Sequence, residues 1–194
     1  MGKLELRFQE LSDLIPRFEL NASKAIHASA DALVAAFKGG NKVLICGNGG
    51  SAADSQHFAA EFVNAFSRDI KRNALPVIAL STDTSILTSI ANDFEFESVF
   101  SRQVEAYGVP QDILIVLTTS GSSKNCLNAV KVANSMGLIT IAFSREHGQV
   151  SKQTQICIEV PSENTQHIQE CHMLAYHVLT ELVEDALFRK AKMR

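Results

Sequence analysis

Apolar positions along this chain alternate between two periods, and the alternation lays out the elements. Residues 4–38 carry Ala25, Ile26, Ala32, Leu33, Ala36 and Phe37 at helical spacing, which predicts one long helix, interrupted or kinked near Pro16 and stopped by Gly39-Gly40. A short apolar run over residues 42–45 then reads as a buried strand, and Ala52, Ala53, Phe58, Ala59 and Phe62 mark the helix after it. Residues 67–73 read as a polar loop and 75–80 as a second strand. A helix is expected over 83–91, a break at Asn92-Asp93, and a further helix over 94–107 with Phe96, Val99, Phe100 and Val104 inward. The unbroken run 112–117 is the clearest buried strand, followed by a helix over 124–136 closed by Gly137. Strands are expected over 138–143 and 156–160, and one long helix from Asn164 onward.

Strands alternating with helices predict an α/β architecture, a parallel sheet covered on both faces. Such sheets bind ligands at the carboxyl ends of their strands, where two polar loops begin, 47–51 and 118–123. A length of 194 residues suits a single domain, 1–194, with 1–40 as an N-terminal helical extension and 41–194 as the α/β core. The net charge of -3 gives no basic footprint and argues against a nucleic-acid partner. No apolar run is long enough to cross a bilayer, and the charged start has no signal-peptide core, so a cytoplasmic protein without membrane contact is expected. Cys46, Cys126, Cys157 and Cys171 lack metal-binding spacing and read as buried reduced thiols.

The first loop, Gly47-Asn48-Gly49-Gly50-Ser51, joins strand to helix with three glycines, so backbone amides and the helix dipole favour an anion there. It is not a P-loop or a dinucleotide fingerprint: the Lys-Ser/Thr ending is missing, and position 52 is Ala. Ser51 can cap the helix or donate its hydroxyl to the anion. The second loop, Thr118-Thr119-Ser120-Gly121-Ser122-Ser123, offers five hydroxyls ahead of another helix. Either loop alone is also explained by turn closure or helix capping; together in one fold they favour a phosphate monoester. His57 and Glu61 are four apart on one helix face, as an ordinary ion pair or as an acid/base or ligand pair. On the last helix Gln169 and His177 are eight apart, about 80° around the axis. With His57 and Glu61 they make two nitrogens and two oxygens, a set that suits zinc or another divalent ion, although spacing alone does not bring the two helices together. His172 reads as a hydrogen-bonded core histidine.

Several of these stretches carry a resemblance: Cys46-Gly47-Asn48-Gly49-Gly50-Ser51-Ala52-Ala53-Asp54 with His57-Phe58-Ala59-Ala60-Glu61, Asn92-Asp93-Phe94, residues 100–106, Thr119-Ser120-Gly121 and Ile168-Gln169-Glu170-Cys171-His172. In combination they resemble the bacterial phosphoheptose isomerases of the sugar isomerase (SIS) fold. The resemblance implies a flavodoxin-like αβα sandwich with a five-stranded parallel sheet, assembled as a homotetramer with active sites at subunit interfaces. It implies conversion of sedoheptulose 7-phosphate to D-glycero-D-manno-heptose 7-phosphate, toward the heptose of lipopolysaccharide or related glycans. By the same resemblance Glu61 is the base that moves a proton between C1 and C2, and His177 is its acid/base partner. A divalent ion, usually zinc, is implied at His57, Glu61, Gln169 and His177. Substrate contacts are implied at Asn48, Gly49, Gly50, Ser51, Asn92, Asp93, Thr118, Thr119, Ser120, Ser123 and Gln169.

The chain departs from the family at three places. Ala65 stands where members commonly carry an arginine, with Arg68 or Arg72 as the available substitute. Gln166-His167 replaces the usual Ala-Arg, and the turn after the fourth strand reads Ser144-Arg145-Glu146-His147-Gly148. These departures keep open an isomerase of another ketose phosphate; a non-catalytic SIS regulator that binds the replication initiator is the alternative outside enzymes.

Overall fold

The computed structural model describes residues 2–189. Five strands, β1 (Val43–Gly47), β2 (Val77–Ala79), β3 (Ile113–Thr118), β4 (Ile139–Arg145) and β5 (Ile156–Val160), form one sheet in the order β2-β1-β3-β4-β5. Every pairing is parallel, with Gly47 opposite Leu117 and Thr118 opposite Ser144. This is the expected three-layer α/β sandwich. β3 is buried along its whole length, as its unbroken apolar run requires.

Alternate residues of the central strands feed two cores. Val43, Ile45, Ile113, Ile115 and Leu117 face α1 (Lys3–Lys38), α2 (Gly50–Val63) and α6 (Thr165–Phe188). Leu44, Cys46, Leu114 and Val116 face the side of α4 (Ser101–Tyr107) and α5 (Lys124–Ser135), with α3 (Thr84–Asp93) beside them through Leu87 and Ile90. The helix after β1 therefore lies on one face and the helix after β3 on the other. The crevice between β1 and β3 is the topological switch point, where ligands of such sheets bind.

The N-terminal helix covers its own sheet: Leu14, Phe18, Ala22, Ile26, Ala30, Leu33 and Ala36 belong to the same core as the strands. Three expectations change. The α1 helix runs unbroken through Pro16, where the bond lost with the missing N–H falls on an exposed stretch of the helix. Asn92-Asp93 does not break α3; Asp83 caps its start by accepting from the Ile86 N–H at 2.9 Å, and the helix ends only at Phe94. The helix expected over 94–107 is a 3-10 turn at Phe96–Ser98 followed by α4, and Phe96 is exposed, not inward. Val99, Phe100 and Val104 do point inward.

The cysteines are free, three of them buried, with burial pushing Cys157 up to about 12 and Cys171 to about 11. Among the described residues no helix is long and apolar enough to cross a membrane.

His172 is fully buried against Phe143, but neither ring nitrogen makes a hydrogen bond. Burial lowers its pKa from 6.5 to about 4. Between these values the unfolded chain binds a proton that the folded chain refuses, so stability is lost as pH falls through this window and the loss is complete near pH 4. Unfolding free energy is expected to drop by about 2 kcal/mol from this group between pH 7.5 and 5. Urea denaturation at the two pH values should find the drop smaller by that amount in His172→Leu; an equal drop in both proteins would refute the assignment.

Candidate active site

The two anion loops leave adjacent strands and are stitched together. Asn48 Nδ2 donates to Asn125 Oδ1 at 2.9 Å, and Asn125 Nδ2 donates back to Asn48 Oδ1 at 2.8 Å. Gly49, at φ 56°, is the cap position of α2 and bears no capping side chain, so Ser51 sits inside the first turn, buried, and does not cap. In the second loop Thr118 Oγ1 donates to Ser123 Oγ at 3.3 Å and lies 3.5 Å from Ser120 Oγ. Ser123 occupies the cap position of α5 without bonding its amides. Hydroxyls and helix N–H groups of the two strand ends are thus tied together through Asn48 and Asn125, a composition suited to a phosphate monoester. Thr119 is half-buried in the same loop.

Helices α2 and α6 do meet. His57 Nε2 lies 2.9 Å from Glu61 Oε1, and the His57 and His177 rings cross edge-on at 5.2 Å. One donor atom from each of His57, Glu61 and His177 lies within 4.8 Å of the others. Two imidazoles and a carboxylate with room for a further ligand fit a catalytic zinc or a similar ion. Gln169 bonds back to α2: its Nε2 donates to Asp54 Oδ2 at 2.9 Å, and its amide fills the space that a Cβ on Gly50 would occupy. A side chain at position 50 would therefore expel Gln169.

Electrostatics follow from this packing. Burial, aided by the neighbouring His57, lowers the pKa of His177 against the opposing pull of Glu61. Burial raises the Asp54 pKa, opposed by the Gln169 hydrogen bond and by His57.

Some expected residues stand apart. Asn92 and Asp93 are exposed at the end of α3 and bond to each other, Asn92 Nδ2 donating to Asp93 Oδ1 at 2.8 Å. Arg72 does not replace the arginine missing at Ala65. Its buried guanidinium is consumed by Glu184 Oε1 at 2.6 Å and by the carbonyls of Glu61, Phe62 and Asn73. Arg68 is exposed.

Other residues were missed. Asn125 lies in an ordinary helical pattern, and nothing local ties it to Asn48. Asp54 and Tyr176 sit one turn from His57 and beside His177, but their partners are on the opposite helix. Glu184 accepts the Phe66 and Ser67 N–H groups at 3.0 Å each, and these bonds with Arg72 outweigh burial and lower its pKa.

The model of the SIS domain matches residues 8–144. The chain belongs to the SIS domain family. Over its full length it is similar to the phosphoheptose isomerase of Aquifex aeolicus, 47% identical across 98% of this chain and 100% of that one. It is 48% identical to the phosphoheptose isomerase of Synechocystis, across 93% and 92% of the two chains. Among solved structures, phosphoheptose isomerase GmhA from Neisseria gonorrhoeae superposes with a TM-score of 0.88 at 35% identity, covering 94% of this chain and 97% of that one. The α/β sandwich with its long first helix is thus a SIS fold, and its relatives place it among the sugar-phosphate isomerases.

Proposed function

We infer that this SIS protein is a phosphoheptose isomerase, interconverting sedoheptulose 7-phosphate and D-glycero-D-manno-heptose 7-phosphate through an enediol. The observation that carries this reading is the meeting of Glu61 and His177 from separate helices, in a fold whose β1 and β3 end in a glycine-rich and a hydroxyl-rich loop. Aldose–ketose exchange needs one group to take a carbon-bound proton and return it to the neighbouring carbon, while another manages the oxygen protons. Glu61 takes the first role and His177 the second. Asn48, Gly49, Gly50, Ser51, Thr118, Thr119, Ser120 and Ser123 hold the phosphate, which fixes the reacting carbons against Glu61. Gln169 is assigned to the substrate; Asn92 and Asp93, exposed at the end of α3 and bonded to each other, are given no role within one chain.

His57, Glu61 and His177, with Gln169, would hold a divalent ion, zinc being our choice; when bound, it supplies polarisation of the sugar oxygens. The protein is proposed to act in the cytoplasm, as one domain, without nucleic-acid or membrane partners. A homotetramer is supported by apolar side chains that α1 leaves exposed, among them Leu4, Phe8 and Leu20. Light scattering is expected to give four times the 21.2 kDa chain mass.

Ala65 favours a second reading, an isomerase of another ketose phosphate, because the cation expected there is missing and Arg72 is engaged elsewhere. NMR screening of C5 to C7 ketose phosphates separates the two. The first reading predicts the largest kcat/KM for sedoheptulose 7-phosphate. Faster turnover of a shorter ketose phosphate would replace it with the second, and no turnover of any, together with capture of the replication initiator, would make the protein a regulator.

A further inference from the structure

Tyr176 precedes His177 on α6, and it is fully buried. Its ring stacks on Phe58 at 4.9 Å and 20°, and it meets His177 edge-on at 4.8 Å. So held, its hydroxyl has one hydrogen-bond partner among the described residues, His57 Nδ1 at 3.0 Å. The other nitrogen of the same imidazole faces Glu61 Oε1. An apolar pocket would accept phenylalanine at this position; what the hydroxyl adds is a bond to one ring nitrogen of a candidate ligand.

We propose that Tyr176 is a positioning residue that fixes the ring rotation and the tautomer of His57. An ionised carboxylate only accepts hydrogen bonds, so in the metal-free protein the His57 proton sits on Nε2, and Nδ1 accepts from the tyrosine hydroxyl. Binding of a metal through Nε2 requires the proton on Nδ1, and the same hydroxyl then accepts it. A hydroxyl serves both states because it donates or accepts by rotation; a backbone carbonyl in its place would serve only the second. The neighbouring residues Tyr176 and His177 thus give α6 two actions on the site, one direct and one through His57. The metal part of this inference rests on the proposed zinc site; the tautomer part does not.

The test compares wild type with Tyr176→Phe, which keeps the stacked ring. Long-range proton–nitrogen NMR of the metal-free proteins at pH 8.5, with His57 assigned from His57→Gln, should find wild-type His57 as the single Nε2–H tautomer. The variant should show a mixture. Competition with a chromophoric chelator should find zinc bound about 10- to 100-fold more weakly by the variant. Its kcat for sedoheptulose 7-phosphate should fall while KM stays within about twofold, the pattern of an interaction made only in the transition state. An Nδ1–H tautomer in metal-free wild type would overturn the proposal whether or not the variant folds, as would an unchanged His57 spectrum in the variant. If wild type takes up no zinc, the metal-site reading fails and the tautomer measurement alone decides the role of Tyr176.

Discussion

Glu61→Gln is expected to lower kcat by roughly 10²- to 10⁴-fold, with KM for the sugar phosphate little changed and the fold intact. The amide keeps the size of the side chain and can still bond His57, but it cannot accept a carbon-bound proton. His177→Ala is expected to fall in the same range, because the proposed mechanism gives its imidazole the oxygen protons. The two groups act on one enediol, so the double variant should be little worse than the poorer single variant. Steady-state kinetics of the three proteins check this. Losses that multiply in the double variant would mean independent roles, and near-normal turnover in either single variant would remove that residue from the chemistry.

The second large effect is on stability. Arg72 and Glu184 form an ion pair with both side chains essentially inaccessible, and the pair closes the far end of α2 against α6. Arg72 bonds the carbonyls of Glu61 and Phe62, the last turn of the helix that carries Glu61, at 2.8 and 2.7 Å. Glu184 holds the amides of Phe66 and Ser67 just beyond it. Glu184→Ala leaves a buried guanidinium unpaired and two amides without an acceptor. The expected cost is about 3–5 kcal/mol, or a melting temperature lower by roughly 10 °C. Arg72→Ala should cost a similar amount, and the double variant less than the sum, since each single change already breaks the pair. Denaturant unfolding of the three variants measures this, and a cost under about 1 kcal/mol for Glu184→Ala would contradict it. Glu184 lies about two turns from His177 on α6 and Arg72 bonds only the backbone of Glu61, so any loss of kcat in these variants reports a displaced α2 and not lost chemistry.

Much of the fold is legible in the sequence because its signals are local. An apolar run such as 113–117 can satisfy itself only as a buried strand, and Gly39-Gly40 and Gly137 stop helices wherever they are placed. The polar loops are legible for the same reason: glycines and hydroxyls at strand ends state their chemistry without help from the rest of the chain. The misread stretch, 94–107, is amphipathic by composition, but Phe94 and Phe96 remain exposed and only the part from Val99 onward finds a core. Pro16 misleads in the opposite direction, because an exposed stretch of helix tolerates the lost bond that would break a buried helix. The site divides along the same line. His57 with Glu61 is visible as a spacing within one helix, and the family resemblance names His177. Long-range partners leave no local pattern: Asn48 with Asn125, Gln169 with Asp54, His57 with Tyr176 and Arg72 with Glu184 are each separated by more than 70 residues. The substitute proposed for the missing arginine failed for this reason, since nothing near Arg72 in sequence announces the glutamate that occupies it.

The most direct test of the central claim, that Glu61 removes a proton from the sugar carbon, is proton exchange in heavy water. Proton NMR of sedoheptulose 7-phosphate with the wild-type protein in D₂O should find deuterium at C2 of the aldose as it forms and at C1 of ketose returned from the enediol, and Glu61→Gln should leave C1 of the ketose fully protonated. Exchange at C1 continuing at the wild-type rate in Glu61→Gln would contradict the account.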